Sequence, residues 1–179
     1  MNDDKSVNDI LTVFARYGFK KTSMEDIARA ARISRQSIYN RFGSKEAVFE
    51  WVVVTFISNL LKGVAKTLQA PNPAPLVSLA QAYDIWAGSQ IPLLSGTGHG
   101  AEILDLAIAT AHRAPTDYEN EFATLISVFL QESGLARDPV FAENKMFVLN
   151  LASKGLLLKS TSAEAFSQDM KRVISTILG

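Results

Sequence analysis

Helix stop and start signals crowd into residues 18–44, and they leave room there only for short helices. Gly18 follows the apolar series Val7, Ile10, Leu11, Phe14 and Ala15, whose spacing is that of one helix face. Ser23 is a good side-chain cap for a helix beginning at Met24. Glu25 and Asp26 stand in its first turn, where the positive end of the helix dipole favours acid. Met24, Ile27, Ala28 and Ala31 give that helix its apolar side before the sequence ARIS, residues 31–34, breaks it. Ser34 opens a third helix, Gly43 stops it and Ser44 caps a fourth. Two short helices joined by a tight turn, with a longer helix on either side, is the geometry these signals prescribe.

The rest of the chain keeps the helical period. The fourth helix is long, about residues 45–68, and its apolar positions Val48, Phe49, Val52, Phe56, Leu60 and Val64 suggest one buried face that meets a second partner further along. PNPAP, residues 71–75, is the clearest break. Further helices are expected at about 76–88, 101–113, 116–133, 140–159 and 163–178. An irregular stretch, IPLLSGTGHG, lies between the first two of these, and Pro115, SGLARDP and KSTS separate the others. No alternating strand pattern of useful length is present. The fold class is all-α, with about nine helices: residues 1–50 as one domain, 51–179 as another, and the helix at 45–68 linking them.

An apolar fraction of 47% is ample for cores in a chain of 179 residues. No uninterrupted apolar run approaches the roughly 18 residues a membrane span needs, and the acidic start MNDDKSVND is unlike a leader peptide. The chain has no cysteine, which excludes disulfides and thiolate metal sites and fits a reducing compartment; a cytoplasmic location and no membrane contact are expected. His99 and His112 have no partner at metal-ligand spacing, Glu102 and Asp105 read as a solvated pair, and no phosphate-cradling glycine loop or nucleophile elbow is present. Neither metal nor cofactor is expected, and no catalytic constellation argues for an enzyme. Net charge is zero, but from Arg29 to Lys45 there are five basic residues and no acidic one.

That acid-free stretch carries the candidate site. Successive helical side chains turn by about 100°. With Ile38 pointing inward, Phe42 packs beside it, Gln36 and Asn40 point outward, Ser37 and Tyr39 lie to either side, and Arg35 and Arg41 flank the face. Gln and Asn can make paired hydrogen bonds to adenine, and Ser can reach base edges or phosphate. Tyr39 can donate its hydroxyl to a phosphate, and Lys45, in the first turn of the next helix, can hold another together with free backbone amides. Thr22 and Ser23 could do the same on the other strand. This is the shape of a helix-turn-helix whose second helix enters a major groove. The bland alternative is a solvated polar face whose arginines pair with glutamates.

The string TSMEDIARAARISRQSIYNRFGSKEAVF, within a match over about residues 7–50, resembles the DNA-binding domain of the TetR/AcrR family of transcriptional regulators. The resemblance rests on the Thr-Ser entry, the Asp-Ile-Ala of the second helix, Ser34 at the start of the third, and the Tyr-x-x-Phe-x-x-Lys-Glu run. It implies that Arg35–Arg41 read DNA and that Tyr39 and Lys45 meet phosphate. Two departures stand out. Arg32 occupies a turn position where the family commonly has glycine, so either the turn differs or Arg32 makes a contact; and MNDDKS is not the basic arm many members carry.

For the remainder, the resemblance implies a ligand-binding and dimerisation domain, with the last two helices forming a four-helix bundle in a homodimer. Phe166, Met170, Val173, Ile174 and Ile177 line one face of the last helix; Phe147, Val148, Leu151 and Leu158 line one face of the helix before it. A charge at Phe166 or Ile174 is then expected to give monomers. Candidate lining of an effector pocket is Phe56, Tyr83, Trp86, Leu106, Phe122, Ile126, Phe129 and Asn150. The expected function is a repressor that binds a double-stranded operator and is released by a small apolar or aromatic effector. An activator, a protein-interaction module or, further off, a helical-bundle enzyme are the alternatives.

Overall fold

The computed structural model describes residues 4–179; Met1–Asp3, part of the acidic start, lie outside the described residues. Ten α-helices follow one another: α1 Asp4–Tyr17, α2 Met24–Ala30, α3 Arg35–Phe42, α4 Lys45–Leu68, α5 Pro75–Trp86, α6 Ile91–Ser95, α7 Gly100–Ala111, α8 Tyr118–Glu132, α9 Pro139–Lys159 and α10 Ala163–Leu178. No strand occurs among the described residues. Nine of these helices match the reading from sequence. The tenth, α6, falls in IPLLSGTGHG, where a 3-10 turn at Gly88–Gln90 precedes it. Pro92 did not forbid a helix there because it stands in the first turn, where its missing N–H has no partner to lose. Pro115, expected to separate α7 from the next helix, lies ahead of α8.

The helices gather into two compact units. The first takes in residues 1–59 together with 93–117, and the second takes in 60–92 together with 118–179. In chain order the first unit is therefore interrupted, which the single division at residue 50 did not foresee. The reason lies in α7: Ile103 is buried in the core built by Val7, Ile10, Phe14, Ile27, Ile38, Phe49 and Val52. The rings of Phe14, Phe19 and Phe49 pack mutually, with centroids 5.0–5.6 Å apart, a geometry favourable beyond the area it buries.

The second unit is built on Leu79, Tyr83, Phe122, Ile126, Leu130, Leu149, Phe166, Met170 and Ile174. The apolar face of α10 is turned into this core: Phe166 and Met170 are fully buried and Ile174 is 1% exposed. Buried within its own chain, that face is not free to meet a partner chain, contrary to the expectation from sequence. A period-3.6 stripe says that one side of a helix is hidden, not what hides it. On α9 the outcome is the reverse. Ala142, Leu149 and Ser153 point inward, while Phe147 (59% exposed), Leu151 (55%) and Leu158 (79%), with Val140 and Val148, face outward.

Among the described residues α4 is the one helix long and apolar enough by composition to cross a membrane. Its apolar side chains have other uses. Val48, Val52 and Val53 lie in the first core and Val64 in the second.

Candidate nucleic-acid interface

Each boundary of α2 and α3 is closed by local hydrogen bonds. Ser23 forms a capping box: its Oγ accepts from Asp26 N at 3.2 Å and donates to Asp26 Oδ2 at 2.6 Å, while Ser23 N donates to the same carboxylate at 3.1 Å. The Ser23 hydroxyl, then the Ser23 amide and finally the Arg29 guanidinium hold the Asp26 carboxyl below the usual carboxylate range. At the other end of α2, Ile33 N donates to Ala28 O (3.0 Å) and Arg32 N to Arg29 O (3.1 Å). This pair is the Schellman closure, which requires a left-handed residue between them. That residue is Arg32, at φ 57°. A non-glycine there costs roughly 1–2 kcal/mol. The turn therefore has the shape glycine would give it, and arginine occupies it under strain.

Ser34 then caps α3, accepting from Ser37 N at 3.1 Å, with the two hydroxyls 2.8 Å apart. Ile38 alone in α3 is fully buried, and Phe42, tilted against Trp51 at 5.1 Å, is half-buried. Arg35, Gln36, Ser37, Tyr39, Asn40 and Arg41 are all exposed. Gln36 Nε2 donates to Asn40 Oδ1 at 2.7 Å, so these two outward amides lie together one turn apart. The Arg35 guanidinium lies 5.4 Å from the Tyr39 ring centroid, and that of Arg41 lies over Phe42 and Trp51 at 5.2 and 5.3 Å. The face derived from 100° steps is the face the helix presents.

Three residues read as phosphate contacts have internal partners. Thr22 is buried, and its hydroxyl donates to Gly18 O at 2.8 Å. Ser23 is engaged in the capping box. Lys45 Nζ donates to Phe19 O (2.7 Å), Thr22 O (3.0 Å) and Lys20 O (3.1 Å), and lies 4.8 Å from the Phe19 ring centroid. An ammonium has three N–H donors, and here each has a carbonyl. Lys45 ties α4 to the turn between α1 and α2.

The sequence also missed what α7 does to that same turn. Gly18 is at φ 78°. A Cβ there would come within 2.9 Å of His99 Nδ1 and 3.1 Å of Glu102 Oε2, so glycine is required twice over. His99 N donates to Ala15 O (2.9 Å), Phe19 N to Glu102 Oε1 (3.3 Å), and His99 Nδ1 lies 2.8 Å from Glu102 Oε2. Glu102 had been read as a solvated acid because the contact spans 83 residues of sequence. Nothing local encodes it.

Residues 9–52 match the family of bacterial regulatory proteins described as the tetR family. Over these residues the chain resembles the TetR family. Over 62 residues it is 33% identical to the HTH-type transcriptional regulator YezE of Bacillus subtilis, and over 71 residues 34% identical to the HTH-type transcriptional repressor DhaR of a Mycobacterium species. Those matches cover 35% and 40% of this chain, and only 32% and 36% of the relatives. The TetR-type fold extends further than the sequence likeness. The crystal structure of the regulator FadR from Bacillus subtilis superposes with a TM-score of 0.66 at 13% identity, over 98% of this chain and 97% of that one.

The expected effector residues fall into different places. Phe56 and the exposed Leu106 belong to the first unit. Tyr83, Trp86, Phe122, Ile126, Phe129 and Asn150 come together in the second. Trp86 stacks on Phe122 at 4.4 Å with an interplanar angle of 5°, and Tyr83 meets the same ring edge-on at 5.4 Å. Tyr83 OH donates to Asn150 Oδ1 at 2.7 Å, and burial pushes its phenol far above the ordinary range, so it remains a neutral donor.

Proposed function

We propose that the protein is a DNA-binding transcriptional regulator. It acts as a homodimeric repressor that occupies a double-stranded operator and leaves it when a small apolar or aromatic molecule binds the second unit. The observation that carries the reading is the exposed α3 face: six hydrogen-bonding side chains over one buried isoleucine, on a helix capped at both ends and preceded by a strained tight turn. Such a face has little to contribute to a core. It offers the amide pair Gln36 and Asn40 to base edges, with Tyr39, Arg35, Ser37 and Arg41 as flanking donors. The repressor relative DhaR supports the sign of the control.

Two such helices must be linked to reach two successive major grooves. The outward apolar side chains of α9 support the dimer: large apolar side chains grouped on one helix face mark a surface that gains by being covered. The aromatic group around Trp86 and Phe122, with one neutral polar pair at Tyr83 and Asn150, supports a flat or apolar effector. The stearoyl-CoA in the FadR structure is compatible with such chemistry on this fold. Effector binding would favour an arrangement of the dimer less suited to the operator, a shift of population.

Selection of tight-binding duplexes from random DNA tests the reading. Gln36→Ala and Asn40→Ala should each relax preference at a defined base position by roughly 1–3 kcal/mol. Equal losses on selected and unrelated duplexes would remove α3 as the reading helix.

A further inference from the structure

We propose that Arg32, in the turn between α2 and α3, is a DNA-backbone contact that this chain adds to the reading helix. The inference rests on the regulator reading above. Its ground is the behaviour of the five basic residues from Arg29 to Lys45. Arg29 lies 3.8 Å from Glu25 and 3.6 Å from Asp26. Arg35 lies over Tyr39 and Arg41 over Phe42 and Trp51. Lys45 is bound to three carbonyls. Arg32 is exposed, and among the described residues its side chain has no hydrogen bond, ion pair or ring contact. It is also the one non-glycine residue at positive φ among them.

Strain and the lack of a partner point the same way. The Schellman closure of α2 needs a left-handed residue at position 32, and glycine satisfies that need without penalty. An arginine there lowers the stability of the free protein and brings it no internal contact in exchange. What it adds is a long, permanently charged side chain two residues before the Ser34 cap, at the end of α3 that leads into a major groove when a helix of this kind docks. A guanidinium so placed meets the phosphates at the groove edge, which it can grip with two N–H groups at once. Outliers of backbone geometry persist where function holds them.

The test compares Arg32→Gly, Arg32→Lys and wild type, on a fluorescent duplex selected from random DNA and on an unrelated duplex of equal length. Arg32→Gly should raise the melting temperature, so loss of fold is not at issue. Its affinity should fall by a similar factor on both duplexes, and its salt dependence, log K against log salt, should become shallower by roughly 0.9 for each Arg32 removed. Arg32→Lys should keep most of that slope. A glycine variant that is more stable yet binds with unchanged affinity and slope overturns the inference alone. A wild type that binds neither duplex at low salt overturns the regulator reading, and this inference with it.

Discussion

Helices α3 and α9 both present to the outside what a helix in an isolated protein has no use for, and they do it with opposite chemistry. In α3 a single fully buried residue, Ile38, anchors eight residues whose outer face is a row of donors and acceptors. In α9 the inner face is Ala142, Leu149 and Ser153, and the outer face carries Phe147, Val148, Leu151 and Leu158. An exposed polar row is cheap in water and becomes valuable only against a polar partner of fixed geometry. An exposed apolar row is unfavourable in water and gains from any dry cover. The first therefore suits recognition, and the second suits a permanent neighbour.

The sharpest way to break this contrast is to move a charge between the inner and outer faces of the second unit. Phe166→Asp should prevent that unit from folding, since even Phe→Ala at a buried site costs roughly 3–5 kcal/mol; loss of the cooperative transition in circular dichroism is the readout. A well-folded monomeric Phe166→Asp would instead show that α10, not α9, meets a partner. Leu151→Asp should leave the fold intact and give monomers by sedimentation. Operator affinity should then fall by roughly 10²–10⁴-fold, the contribution of linking two heads. An unchanged dimer would move the interface away from α9.

Smaller effects probe how α3 is held. Lys45→Met removes the ammonium from three carbonyls and should lower stability by roughly 1.5–3 kcal/mol, the range for hydrogen bonds to a charged group. Its salt slope on DNA should match wild type; a slope shallower by about 0.9 would return Lys45 to the phosphate role. Ser23→Ala should cost roughly 0.5–2 kcal/mol in denaturant unfolding. The Asp26 carboxyl is depressed in the fold, so its contribution is present above the ordinary carboxylate range and is lost as the pH falls through its lowered value. The stability gap between wild type and Asp26→Asn should therefore close in acid. No gap at any pH would mean that the hydroxyl, without the carboxylate, makes the cap.

The same contrast explains what the sequence revealed. The ends of α2 and α3 were legible because Ser23, Ser34, Gly43 and Ser44 act on backbone groups within four residues, and the α3 face because Ile38 fixes its rotation. The interior of α9 was not legible: MFVLNLASKGLLL is apolar nearly all round, so periodicity could not choose between core and partner. On α10 the periodicity was strong, yet it named the buried side without naming its cover. The internal bonds of Lys45, Thr22 and Glu102 were not legible for a third reason. Each is polar and stands near a helix start, as a phosphate contact or a solvated residue would, and their true partners are backbone atoms around residue 18, reached only through the fold.

That meeting point at residues 18–22 has a mechanical consequence. The turn is fastened to α1 through Gly18 N and Phe14 O, to α4 through Lys45, and to α7 through Glu102, while Thr22 and Ser23 carry it directly into the cap of α2. No slack is left at Gly18, where one added carbon would already collide with His99. The joint thus gathers three helices onto one turn: an axial slip of α7 or a roll of α4 strains the bonds that lead straight into the cap of α2.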